Sequence, residues 1–367
     1  MKSATFCERL IESCETHSQK VGMRVVGDDS ESVTFGEMLD QIRSIAYRLK
    51  QENVKPGDRV AVIGENHPCW ATSYLATLYT GAVCVPLDPH GEIETITNFL
   101  EDSEAKVVFL ASDVTDKFHE IQEKLGKSIP AVVWRNEESL NGFQRFEDWA
   151  KTDFPNEFAE ETPPATNEDN AILIYTSGTT GKPKGVLLTH GNIAGELDAI
   201  DKVWEFTDKE SVLSLLPLFH VYLQIVNLWL AATKGAEVFY LKELAPDELS
   251  KGMLESKMTA LASVPRLWYL FHKKIFDAVE AKPKAVQTLF RVMLRTNGFT
   301  RDYLGINLGH LFFGQVHDSF GGNLDLAVTA GSRFDVDVAI DFHRLGFTIV
   351  QGYGLSETSG AATGTYV

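Results

Sequence analysis

Cysteine is scarce in this 367-residue sequence. Its four cysteines, Cys7, Cys14, Cys69 and Cys84, form no C-x-x-C pair and no metal-ligand spacing. That argues against a disulfide framework or a thiolate zinc site and points to free thiols of the kind a reducing compartment keeps. Long apolar runs are missing as well. None approaches the roughly 20 residues that a membrane-spanning helix needs. The stretch from Met1 to Glu12 also has acidic residues where a secretory signal would have an apolar core. The expectation is a cytoplasmic protein without an integral membrane segment. Positive charge is short too: 34 Lys and Arg against 51 Asp and Glu give a net charge of −17. A field of that sign disfavours nucleic acid and anionic membrane surfaces as partners, but a small anion can still be held locally.

Two common phosphate fingerprints are absent. Where the chain is richest in Gly, Ser and Thr, only two residues separate Gly178 from Gly181, and Pro183 follows Lys182, so the Walker A spacing fails. No glycine stands two residues before Gly178, so the dinucleotide pattern fails also. What is there still reads as an anion-holding loop. An apolar, β-branched run, Ala171 to Tyr175, predicts a buried strand. Thr176, Ser177, Gly178, Thr179, Thr180, Gly181, Lys182, Pro183, Lys184 and Gly185 follow. Glycines allow close backbone approach, successive amides can converge on an anion, and hydroxyls and two lysines add donors and charge.

Elsewhere the chain alternates strand and helix patterns. Thr34 to Leu49 carries an amphipathic stripe with a Thr34/Glu37 capping box. Strands are predicted at Arg59 to Ile63, Ala82 to Val85, Lys106 to Leu110 and Ala131 to Trp134, with helices between them starting near Pro68 and Ile93. An acidic, proline-bearing stretch over 151–169 reads as a linker. Beyond it, strands at Ser211 to Leu215, Glu237 to Leu241, Thr259 to Ser263, Leu324 to Thr329 and Phe347 to Val350 alternate with helices, including one near Val221 to Ala232 and one from Pro265. A basic stretch, Lys282 to Arg301, and a glycine-rich one, Gly305 to Gly322, lie before the last unit. The fold class expected is α/β, with two doubly wound, mostly parallel sheet lobes over about 1–165 and 170–367.

A second chemical stretch, Gln351, Gly352, Tyr353, Gly354, Leu355, Ser356 and Glu357, leaves a predicted strand at its carboxyl end, where α/β sheets bind ligands. Tyr353 offers a flat face for a purine, and Glu357 a hard oxygen for Mg2+.

The glycine- and threonine-rich loop resembles, nearly residue for residue, the signature of the adenylate-forming (AMP-binding) superfamily. The stretch ending in Glu357 resembles that group's Y-G-x-T-E motif, with Ser356 in place of Thr. Thr329 to Ser332 is similar to its S-G-G-A turn, Leu218-Phe219-His220 to its P-x-F-H segment, and Val264-Pro265-Arg266-Leu267-Trp268 to the V-P-R-x-[WY] of long-chain fatty acyl-CoA synthetases. The resemblance runs from Thr34 through Pro56-Gly57-Asp58 and Val85-Pro86-Leu87-Asp88 to Glu357. It implies activation of a carboxylic acid, medium- or long-chain, to acyl-AMP with ATP and Mg2+, then transfer to coenzyme A as co-substrate. Thr176 and Glu357 would touch the metal, and Ser177 to Lys182 with Lys184 would hold phosphates. Ala330, Gly331 and Ser332 with Gln351 to Gly354 and Ser356 would hold adenine. His220 would lie between the acyl and nucleotide sites, while His190 reads as packing or capping. In that family a ribose-binding Asp, a hinge and a small C-terminal domain with a catalytic lysine follow. The sequence ends ten residues after Glu357, so the expectation is an N-terminal domain, incomplete at its C-terminus, with the small domain as intramolecular partner. Other adenylating enzymes (fatty acyl-AMP ligases, aryl-CoA ligases, peptide-synthetase adenylation domains) and a non-catalytic nucleotide-binding module stay open.

Overall fold

The computed structural model describes residues 4–135, 142–176 and 184–365. Two sheets carry the fold. The strands in chain order are β1 Val21–Val25, β2 Asp28–Thr34, β3 Arg59–Ile63, β4 Val83–Leu87 and β5 Val107–Ala111. Then come β6 Ala131–Trp134, β7 Gln144–Arg145, β8 Asn170–Thr176, β9 Lys184–Thr189 and β10 Ser211–Ser214. The last five are β11 Glu237–Tyr240, β12 Ala260–Ser263, β13 Leu326–Thr329, β14 Thr348–Tyr353 and β15 Thr363–Gly364. The first sheet runs β7-β6-β5-β3-β4-β8-β9, and the second β15-β14-β13-β12-β10-β11-β1-β2. Pairing is parallel except for β1–β2, β8–β9 and β14–β15, so the predicted architecture is the one observed.

The sheets do not divide the chain at residue 165. β1 and β2 join the second sheet, with β1 parallel to β11, whereas β8 and β9 join the first, with β8 against β4. A strand pattern says how a segment pairs but not with which sheet, because both sheets want the same apolar residues. The stretch 151–169 is also more than a linker. It contains a short helix, Asn156–Glu160, and its Phe158 packs edge-on against Tyr47 at 5.2 Å and near Tyr79 at 6.5 Å. Its acidic residues masked two aromatic anchors, Phe154 and Phe158, that hold it to the first sheet's helices. The glycine-rich stretch before β13 likewise contains a helix, Gly309–Ser319, bent at Phe313.

Local signals explain the element ends. Thr34 caps helix Phe35–Gln51 through the reciprocal box with Glu37. Prolines open helices Pro68–Tyr79, Pro246–Ser256 and Pro265–Glu280, where a missing amide hydrogen costs nothing. Strands β4, β5 and β6 are buried along their whole length, as strands covered on both faces must be. One core unites residues of both sheets with helices Phe6–Thr16, Phe35–Gln51 and Pro68–Tyr79. A second core, including Trp268, Phe271, Phe342 and Phe347, covers the other side of the eight-stranded sheet. The segment Val221–Lys234 crosses the first core. It is helical throughout, but its middle, Ile225–Leu230, is a π-helical turn. Such turns are rare and recur beside functional sites.

Candidate functional site

Parallel strands end on the same side, and here the carboxyl ends of β14, β13, β12 and β10 lie next to one another. The turns leaving them therefore share one rim. Thr329 is paired with Gln351, and just beyond, a Cβ on Gly352 would stand 3.5 Å from that of Ala330. The Ala330 amide donates to Ser263 O at 3.2 Å, tying the third strand end in. Gly331 has φ +86°, a conformation glycine supplies without strain. The turn after Tyr353 is tighter still: a Cβ on Gly354 would lie 2.3 Å from Gly360 O. So Gly354, after Tyr353, serves close approach, and Tyr353 itself stands 64% exposed.

The first sheet supplies the facing half. Thr176 and Lys184 form the last register pair of the β8–β9 hairpin. Ser177, Gly178, Thr179, Thr180, Gly181 and Lys182 lie outside the described residues. β9 packs beside the short helix Ser356–Thr358, which carries Glu357. The base of the signature loop and the carboxylate, far apart in sequence, thus belong to one place. Lys184 and Glu357 are exposed, and neither makes an ion pair among the described residues. Among the described residues this place offers a cation, a carboxylate and the Thr176 hydroxyl, groups that could serve a phosphate chain and a hard divalent cation. Among the described residues no group of three or more His, Cys, Asp or Glu can hold a metal alone. A cation here would have to complete its shell with water and phosphate oxygens, as Mg2+ commonly does.

His220 stands at the same rim, four residues beyond Leu216 and immediately before helix Val221–Gln224. The protein around it lowers its pKa from the ordinary imidazole value, and Asp88, at the end of β4, pulls the other way. His220 has no hydrogen bond of its own to described side chains; its position comes from neighbours that sequence patterns did not single out. Asn66 donates to Ser214 Oγ at 3.0 Å and Leu216 O at 2.8 Å, and accepts from the Leu218 amide at 2.8 Å. Gln224 Nε2 donates to Leu218 O at 2.7 Å, Tyr74 OH donates to Gln224 Oε1 at 2.9 Å, and Trp229 Nε1 donates to the Tyr74 oxygen at 3.0 Å. This chain of buried, satisfied polar groups fixes the loop 216–220 between the two sheets. Tyr222 OH reaches Ser263 O at 3.1 Å and Val328 O at 3.0 Å, pinning the π-turned helix to the rim. A buried polar network leaves no periodic signal, so only the fold could show it.

His190 is wholly buried at the first turn of helix His190–Ile200, with its amide donating to Asp169 O at 3.0 Å. Burial lowers its pKa to about 4, with Asp169 opposing. The side chain packs, as expected, away from the rim. All four cysteines are free, and burial raises their thiol pKa values, to about 12 for Cys7 and Cys14. None is poised for nucleophilic work.

Residues 11–366 match the family described as AMP-binding enzyme. Long-chain-fatty-acid--CoA ligase FadD15 of Mycobacterium tuberculosis is 30% identical over 350 residues, which cover 89% of this chain and 56% of that protein. Long chain acyl-CoA synthetase 1 of Arabidopsis thaliana is 29% identical over 349 residues, covering 89% of this chain and 52% of its own length. The chain thus spans a little over half the length of the curated relatives it matches. Among solved structures, the anthranilate CoA ligase AuaEII in complex with anthranoyl-AMP superposes with a TM-score of 0.78 at 18% identity, over 99% of this chain and 62% of that one. A benzoate CoA ligase from Burkholderia xenovorans LB400 gives 0.76 at 18% identity, over 99% and 63%. At such identities they share the fold.

Proposed function

Because this chain belongs to the AMP-binding enzyme family, we propose that it holds the ATP and acyl sites of an acid–thiol ligase. The reaction joins a carboxylate to the AMP part of ATP as acyl-AMP, releasing pyrophosphate, and passes the acyl group to the thiol of coenzyme A, releasing AMP. The observation that carries this reading is the shared rim: the Thr176–Lys184 hairpin end, the Ser356–Thr358 helix, and the turns at 330–332, 351–354 and 217–220 meet there.

Roles follow from chemistry at that rim. Tyr353 presents its ring to adenine, and the glycine-lined turns 330–332 and 351–354 bring backbone groups within reach of its edge. Lys184 neutralises phosphate charge. Glu357 and Thr176 would hold Mg2+, whose charge would offset the negative charge of the reacting phosphate. Ser177, Gly178, Thr179, Thr180, Gly181 and Lys182 complete the phosphate cradle. His220, kept largely neutral by its surroundings, borders the carboxylate without adding repulsion or a competing charge. The substrate we propose is a medium- or long-chain fatty acid. The supports are the two relatives named as long-chain acyl ligases and the Val264-Pro265-Arg266-Leu267-Trp268 segment leaving β12 on this rim. The buried, apolar helix Val221–Lys234 borders the same place. No described helix is long and apolar enough to cross a membrane.

Thermal shift with Mg·ATP and with a non-hydrolysable acyl-adenylate tests the nucleotide site. Ligand at about 100 times its Kd should stabilise by roughly 2.7 kcal/mol. ATP–pyrophosphate exchange across palmitate, octanoate, benzoate and an amino acid tests the substrate. Exchange with benzoate alone would replace the fatty-acid reading with an aryl one, and no ligand-induced shift at millimolar nucleotide would remove the enzyme reading.

A further inference from the structure

Helix Lys284–Leu304 carries apolar residues on two sides, where an ordinary surface helix carries them on one. Such helices turn an apolar stripe to the core and polar residues to water. Here the residues buried against the protein are Gln287, Leu294, Asn297 and Gly298. Phe290, 5.3 Å from Phe313 and 5.7 Å from Phe276, and Met293 pack into the second core, and polar anchors hold the rest of the helix. Asn297 donates to Arg344 O at 2.8 Å and accepts from the Leu308 amide at 2.6 Å, and Arg301 donates to His343 O at 2.6 Å and Phe347 O at 3.0 Å. Gly298 lets the Arg344 stem approach to where a Cβ would be 3.0 Å away. The opposite face, repeating every three to four residues, is Leu289, Val292, Phe299 and Tyr303, exposed to 58, 54, 58 and 75%. Leu304, Ile306 and Leu311, which follow in the chain, are exposed as well.

This is a concentration of apolar surface. Of the eighteen exposed large hydrophobics among the described residues, ten fall between Tyr269 and Leu311. Scattered apolar residues are normal on any surface, but a contiguous patch marks an interaction site.

The charge beside the stripe decides the partner. From Ala281 to Arg301 there are five basic residues and no acidic one, in a chain of net charge −17. Lys284, Arg291 and Arg295 fall on one flank of the stripe, and neither arginine makes an ion pair among the described residues. The next acid, Asp302, in the last turn, hydrogen-bonds His343 Nε2 at 2.9 Å. Exposed charges more than a Debye length away, about 8–10 Å, are largely screened, so the local basic flank and not the net charge faces a docking surface. A second copy laid on this face would bring like charges together. A lipid bilayer with anionic headgroups meets both features: acyl chains take the stripe and headgroups take the cations. The helix lies flat over about 31 Å, at 1.5 Å per residue, the geometry of an interfacial helix.

We propose that the outer face of helix Lys284–Leu304 docks the protein on anionic lipid surfaces. The stripe enters the headgroup–acyl boundary while Lys284, Arg291 and Arg295 lie among the headgroups. The assignment stands on this face alone and does not depend on the reaction proposed above.

Co-sedimentation with vesicles of phosphatidylcholine, with and without phosphatidylserine, tests it. The protein should sediment with the phosphatidylserine vesicles, far less with phosphatidylcholine alone, and be released by added salt. Each basic residue near an anionic surface is worth about fivefold in partitioning, so Arg291→Gln with Arg295→Gln should lower it on the order of 25-fold. Val292→Ser with Phe299→Ser, at exposed positions, should abolish it while leaving the unfolding temperature unchanged. Absence of vesicle binding by the folded protein, equal binding to neutral vesicles, or stripe variants that bind like the wild type would each overturn the proposal. So would a concentration-dependent dimer that Phe299→Ser dissolves without any lipid binding, which would assign the face to a second copy.

Discussion

His190 should make this protein lose stability as pH falls from neutral, by an amount the structure lets one work out. Its imidazole is fully buried, and neither ring nitrogen has a hydrogen-bond partner among the described residues. Burial disfavours the imidazolium and lowers the folded-state pKa from 6.5 to about 4, the Asp169 charge recovering only part of the shift. Above pH 6.5 the ring is neutral in both folded and unfolded chains and contributes no pH dependence. Between 6.5 and 4 the unfolded chain takes up a proton that the folded chain refuses, so unfolding gains about 1.4 kcal/mol per pH unit. By pH 5 that amounts to about 2 kcal/mol, and below pH 4 it levels off near about 3 kcal/mol. Against a typical total of about 5–15 kcal/mol this is a large fraction. Burial lowers the pKa of His67, His220 and His317 too, so the wild-type profile alone sums several groups. The difference from His190→Phe isolates one of them. Urea unfolding followed by tryptophan fluorescence at pH 7.5 and 5.0 should show the wild type losing about 2 kcal/mol more than the variant. Parallel profiles would refute the buried neutral imidazole. A variant that loses more than the wild type would mean that Asp169 holds a protonated His190.

Three further outcomes follow from the rim. Glu357→Ala should leave the unfolding temperature unchanged, because the carboxylate is exposed and unpaired among the described residues, while Mg2+-dependent ATP binding by calorimetry weakens; metal-independent binding would rule out its ligand role. Tyr222→Phe removes the hydroxyl that Ser263 O and Val328 O share and should cost about 1–2 kcal/mol in urea unfolding; a neutral result would mean that water serves both carbonyls equally well. Gly354→Ala places a methyl 2.3 Å from the Gly360 carbonyl oxygen and should destabilise by about 1–3 kcal/mol and displace Tyr353, read as lost nucleotide-induced thermal shift; wild-type stability and shift would show that the turn yields freely.

Much of this protein is determined locally, and that part was legible in the sequence. The Thr34/Glu37 capping box, the prolines at 68, 246 and 265, and the short β-branched runs act within a few residues. They predict the observed elements to within a few positions and, by alternating, the mostly parallel sheets. The chemical stretches were legible for the same reason. Gly354 and the residues around Glu357 state their needs in a handful of consecutive positions.

Tertiary structure decided what depends on distant partners. The exchange of β1–β2 and β8–β9 between the sheets was invisible, because apolar strands fit either sheet and loop closure tolerates long connections. The acidic segment 151–169 turned out to be anchored, because two aromatic side chains outweigh its charges once Tyr47 and Tyr79 stand opposite. The hydrogen-bond chain from Trp229 through Tyr74 and Gln224 to Leu218 joins residues up to 155 positions apart, and no spacing rule can anticipate it. The helix Lys284–Leu304 itself was not anticipated. Its sequence reads as a basic stretch, and only the packing of Phe290, Leu294, Asn297 and Gly298 against their neighbours leaves Leu289, Val292, Phe299 and Tyr303 outside. Periodicity belongs to one element, whereas which side is inside is a property of the neighbours that cover it.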